Sequence, residues 1–133
     1  MRVLLSLTLV LLGGCACLCD IDGAVRARGG PGATDCGHVH VNEDPTTAFD
    51  CVDSAIATSH GFYVRWDQLG RDTEQRGYMA GHDGSFSFFH YGGPLGSGCP
   101  ELDEAPCTGP ITRSAGGRDL TCPSTMSHVV CSN

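Results

Sequence analysis

The sequence predicts an α+β domain: one helix packed on a three- to four-stranded antiparallel sheet, followed by a C-terminal tail stapled by disulfides. Three observations carry this reading. A helical apolar stripe runs through residues 45–60. A two-residue hairpin signal at Asp83-Gly84 separates two alternating stretches. Nine cysteines sit in a chain of 133 residues, four of them from residue 99 onward.

Taken in order, Met1-Arg2 gives a short positive end, and Val3 to Leu12 is an apolar run that ends at Gly13-Gly14-Cys15. The run is too short for a spanning helix, which needs about 20 residues, and has the length of a secretory h-region. Leu12-Gly13-Gly14-Cys15 resembles the lipobox of bacterial lipoproteins, an apolar residue and two small residues ahead of a cysteine. The resemblance implies a signal peptide over 1–14 and Cys15 as the mature N-terminus, S-lipidated and N-acylated with palmitate-type chains. It also implies that the membrane is a partner through that lipid. Ala16, where an aspartate is absent, implies the outer membrane of a Gram-negative envelope as destination. Gly14-Cys15-Ala16 also reads as a small-x-small cleavage site before Cys17, the alternative that gives a secreted protein without an anchor.

Residues 15–35 are then the lipidated N-terminus and a flexible tether, because DIDGAVRARGGPGATD is rich in Gly, Ala and Arg and has no apolar period. Residues 36–133 form the small disulfide-rich domain. Gly37 to Asn42 alternates as a short strand, with Val39 and Val41 on one face and His38 and His40 on the other. Asp44 caps a helix whose first turn starts at Pro45. Ala48, Cys51, Val52, Ala55 and Ile56 form its stripe, with Phe49 beside it, and Gly61 ends it. Phe62, Val64 and Trp66 then alternate with Tyr63, Arg65 and Asp67. Glu74 to His82 and Ser85 to Tyr91 pair through the Asp83-Gly84 turn, placing Gly81 opposite Phe86, Met79 opposite Phe88, Gly77 opposite His90, Tyr78 opposite Phe89, and Arg76 opposite Tyr91 as a cation–π pair. The remainder is turn-rich, with one short strand at Ser127 to Cys131.

Composition narrows the function. The chain carries a formal charge of −7 and no lysine. An acidic surface disfavours nucleic acid as a partner. The cysteine density points to an oxidising compartment and disulfides. Once Cys15 is set aside, Cys36 is expected to pair with Cys51, and Cys99, Cys107, Cys122 and Cys131 among themselves. The first bridge closes a loop worth about 3 kcal/mol. Cys17 and Cys19 either pair with each other or stay free.

No nucleophile elbow, phosphate loop or CxxC motif is present. His38-x-His40 is a known zinc geometry, with a third ligand to come from His60, His82, His90, His128 or an acid. Two solvent-facing histidines are the reading preferred, with no metal or cofactor. The candidate binding face is aromatic: Tyr78, Phe89 and Tyr91, on the side of the hairpin that a single helix leaves uncovered, unless the tail covers it. The expected function is a non-enzymatic, membrane-anchored binding or envelope component. The alternatives are a secreted disulfide-rich protein and a zinc-binding enzyme. In general form the chain resembles the small bacterial lipoproteins.

Overall fold

Strands with alternating burial build the centre of the molecule. In the computed structural model, which describes residues 20–69, 74–92 and 101–131, the elements in chain order are α1 (Ile21–Gly29), β1 (Thr34–Val39), α2 (Thr46–Ala57), β2 (Phe62–Leu69), β3 (Glu74–His82), β4 (Ser85–Gly92), β5 (Glu101–Pro106), β6 (Thr112–Arg113), β7 (Leu120–Thr121) and β8 (His128–Cys131). Six strands form one mixed sheet in the order β1-β2-β3-β4-β5-β8, and β6 and β7 form a second, two-stranded sheet. This corrects the expected fold of one helix on a three- to four-stranded antiparallel sheet. The sheet is wider, its β1–β2 pair is parallel, both of its faces carry a helix, and the stapled tail contributes two strands to it.

The parallel pair follows from connectivity. α2 lies between β1 and β2 in the chain and packs on both, and a crossover through a helix returns the chain in the same direction. The β3–β4 register is the expected one, pairing Gly81 with Phe86, Met79 with Phe88, Gly77 with His90, Tyr78 with Phe89 and Arg76 with Tyr91. It is pinned by Asp83 (φ 53°) and Gly84 (φ 76°), both left-handed as a two-residue hairpin turn requires.

α2 buries Phe49, Val52 and Ala55 against Phe62, Val64, Trp66 and Met79, with Leu120 closing the cluster from β7. Phe49 meets the Trp66 ring edge-on at 5.9 Å. Each such side chain contributes roughly 1.5–3 kcal/mol by leaving water. α2 starts at Thr46 with Pro45 in the cap position, one residue later than expected, and Asp44 just ahead of it accepts from the Thr46 amide with its Oδ1 at 3.0 Å. The helix ends one turn before Gly61: Ser59 takes the left-handed position (φ 55°), and the His60 amide donates to the Ala55 carbonyl at 2.8 Å. Gly61 has a different task, since a Cβ there would collide with the Gly29 carbonyl.

That close approach belongs to α1, which replaces the flexible tether expected over residues 20–35. Asp20 caps the helix through the Gly23 amide at 2.9 Å, and Val25 is buried among Tyr78, Ala80, Phe89 and Leu102. Arg28 in its last turn pairs with Glu104 at 2.9 Å and donates to Ser87 Oγ at 3.1 Å. Among the described residues the packed structure therefore includes Asp20 to Gly29, ahead of Cys36. Nine residues are too few for a stable isolated helix, so α1 exists through its docking. Among the described residues no helix is long and apolar enough to cross a membrane.

Candidate functional site

A bulge in β1 creates the site. Asp35 lies opposite Tyr63 and His38 opposite Arg65, so one residue of β1 is extra. Gly37 absorbs it at φ 92°, and its amide donates to Asp35 Oδ1 at 2.9 Å. The bulge lets Cys36 and Val39, three residues apart, both face α2. His38 is left on the opposite face of the sheet, beside Arg65 and Asp67 of β2.

Asp67 is the centre of the cluster, with a side chain only 2% exposed. Its Oδ2 accepts from His38 Nε2 at 2.6 Å and lies 3.8 Å from His40 Nδ1. Its Oδ1 accepts from Arg65 Nε at 3.3 Å and lies 4.0 Å from Arg76 Nε. Burial pushes the carboxyl up, but the His38 hydrogen bond and the Arg65 charge outweigh it and hold Asp67 below the ordinary aspartate range. The two imidazole centroids are 4.1 Å apart. Each arginine is itself shared. Arg65 lies over the Tyr78 ring and 4.0 Å from Asp22, and Arg76 lies over Tyr91 at 5.2 Å, the cation–π pair expected from the register. Burial raises the Tyr78 phenol above its usual value, opposed in part by Arg65.

Clefts flank the cluster on both sides. One of about 210 Å³ opens between the start of α1 and the β1–β2 pair, lined by Asp22, Arg26, Asp35, His38, Tyr63 and Arg65 among others. A second, of about 290 Å³, includes His40, Asn42, Glu43, Asp67 and Arg118 in its wall.

The residues singled out in the sequence fall into three groups. Cys36 is bridged to Cys51 and Cys107 to Cys122, with Cα atoms 5.5 and 5.6 Å apart. Cys15, Cys17, Cys19, Cys99 and the side chain of Cys131 lie outside the described residues. The aromatic face is corrected: Tyr78 and Phe89 are buried under α1, and only Tyr91 keeps partial exposure, so the three do not form an open recognition surface. Among the described residues the cover is α1, whose Val25 packs on Tyr78 and Phe89, with Leu102 of β5 in the same cluster.

The histidines separate in the same way. His38 is partly buried on Asp67 and is not simply solvent-facing. His82 Nδ1 bonds the Arg28 carbonyl oxygen at 2.9 Å, His128 lies 3.7 Å from Glu104, and His60 and His90 are exposed elsewhere. Among the described residues none of these four joins the His38–His40 pair. Asp67 does, and Arg65 and Arg76 support it. The sequence signal for Asp67 was a carboxylate in a strand directly after buried Trp66, on the face where Arg65 also points. No family model, curated protein or solved structure matches this chain.

Proposed function

We propose that this chain is an exported, lipid-anchored binding domain of the bacterial cell envelope, held to the membrane through Cys15. The observation that carries the reading is the pair of disulfides in the folded domain, Cys36–Cys51 and Cys107–Cys122, behind a segment that ends Leu12-Gly13-Gly14-Cys15. Paired cysteines persist where thiols oxidise, and a short apolar leader takes a chain there.

The docking of α1 sharpens the geometry. Five residues separate Cys15 from Ile21, so even a fully extended linker spans only about 20 Å. The domain then sits against the headgroups, with the Asp22–His38 cleft beside its anchored end. The cluster that lines the clefts is polar and charged, with Asp67 held by Arg65, Arg76 and His38, and this supports a binding role.

The test is expression of the full chain in a Gram-negative host with labelled palmitate. The anchored reading expects label in the protein, recovery in the membrane fraction, and release of Cys15→Ser to the soluble fraction. Unlabelled protein in the medium, with Cys15→Ser behaving like the parent, overturns the anchor and leaves a plainly secreted domain.

A further inference from the structure

β1 ends at Val39 with His38 and the following His40 turned to the same side, and β2 supplies a nearly inaccessible carboxylate beneath them. We propose that His38 Nε2, His40 Nδ1 and Asp67 Oδ2 together bind one Zn²⁺ ion. This goes beyond the envelope reading and stands or falls independently of it.

The donor set is right for the ion: two imidazoles and one carboxylate are a recurrent three-residue zinc set that leaves a fourth position for water or ligand. All three donor atoms lie within 4.8 Å of one another. In a tetrahedral site with bonds near 2.0–2.1 Å, ligand atoms stand roughly 3.3 Å apart. Relative to Asp67 Oδ2, His38 must therefore move out from 2.6 Å and His40 in from 3.8 Å, each by less than 1 Å, and the two imidazole donors, within 4.8 Å of each other, must close by up to about 1.5 Å. His40 is 69% exposed and free to make that adjustment.

Asp67 is already oriented for the task. Arg65 and Arg76 engage Oδ1, leaving Oδ2 turned to the histidines, which is the outer-sphere arrangement that fixes a ligating carboxylate. One oxygen faces two imidazoles and makes a short hydrogen bond to only one of them; a cation at that point satisfies both. The cleft containing His40 and Glu43 supplies room for the fourth ligand. The two guanidiniums offset part of the carboxylate's attraction, so the site is weaker than an all-cysteine structural site and exchanges its ion with solution.

The experiment is calorimetric titration of the oxidised, thiol-alkylated mature protein with ZnCl₂, alkylation removing cysteine sulfur as a competing ligand. The expected result is one ion per chain. His40→Ala and Asp67→Asn should each weaken binding at least tenfold, and His60→Ala and His90→Ala should leave it unchanged. His40→Ala touches a mostly exposed side chain, so a folding defect does not confuse the outcome. Zinc should also raise the melting temperature of the parent and not that of His40→Ala. Absence of one-to-one binding in the parent, or equal binding by His40→Ala, overturns the proposal.

Discussion

Removing the Cys36–Cys51 bridge by Cys36→Ala with Cys51→Ala should destabilise the domain by about 3 kcal/mol. The two cysteines are 15 residues apart, and a loop of that length loses about 3 kcal/mol of its closure entropy benefit when cut. Cys36 is also buried in the core with Cys51 packed against it, so the lost packing adds to that figure and does not reduce it. For a domain near 100 residues the shift in melting temperature is roughly 12–24 °C. The second bridge provides an internal control. Cys107 and Cys122 are also 15 residues apart, so loop entropy assigns the same loss to Cys107→Ala with Cys122→Ala. Urea denaturation of the oxidised parent and the two double variants, each extrapolated to zero denaturant with its own slope, gives the numbers directly. A loss below about 0.5 kcal/mol in both variants refutes the view that covalent bridging, and not core volume alone, holds this small domain together.

Two further outcomes follow from the helices. Val25 is the buried contact of α1, and Val25→Asp should undock the helix at a cost of roughly 1.5–3 kcal/mol, exposing Arg26 and Arg28 to trypsin while the parent resists cleavage there; equal cleavage of both proteins means that residues 20–30 are a loose tether. Asp44 has a depressed pKa through its hydrogen bonds to Thr46, so its charge stabilises the fold above its ordinary value of 3.8 and that contribution disappears as pH falls through the lower folded value. Asp44→Asn keeps an acceptor without a titrating charge, so its melting temperature should fall below the parent's at pH 7 and converge with it in acid; a pH-independent gap contradicts this role for the Asp44 charge.

Local chemistry was legible and long-range chemistry was not. Asp83-Gly84 fixed the whole β3–β4 register because a two-residue turn leaves no freedom to slip. The stripe of α2 and the alternation of Phe62, Val64 and Trp66 were legible because each buries one face against a large core. α1 was not, because its apolar stripe is only Ile21, Ala24 and Val25, too short to stand out among Gly, Asp and Arg, and its stability comes from the sheet beneath it. The same omission turned the aromatic face outward in the sequence reading, since nothing local announces that Val25 covers Tyr78 and Phe89. β8 falls within the short strand expected over Ser127 to Cys131, but β5 escaped notice for a related reason: among its described side chains Leu102 alone is fully buried, amid acids and a proline that read as loop.

For the candidate site, the His38-x-His40 pair was visible and its partner was not. Asp67 reaches the histidines through the parallel β1–β2 pairing and the one-residue bulge at Gly37, and both are tertiary facts. The strand–helix–strand order did contain a hint, since a helical crossover between neighbouring strands makes them parallel. Placing β1 beside β2 in that sense brings His38 level with Arg65 and His40 toward Asp67.

The most direct measurement of the central claim is the intact mass of the mature protein isolated from a Gram-negative host, before and after reduction and alkylation. The expected mass is that of a chain without residues 1–14 that carries a diacylglyceryl group and an N-acyl chain on Cys15, with both Cys36–Cys51 and Cys107–Cys122 opening to thiols only after reductant is added. A chain that retains its first fourteen residues, or whose domain cysteines alkylate without reduction, contradicts it.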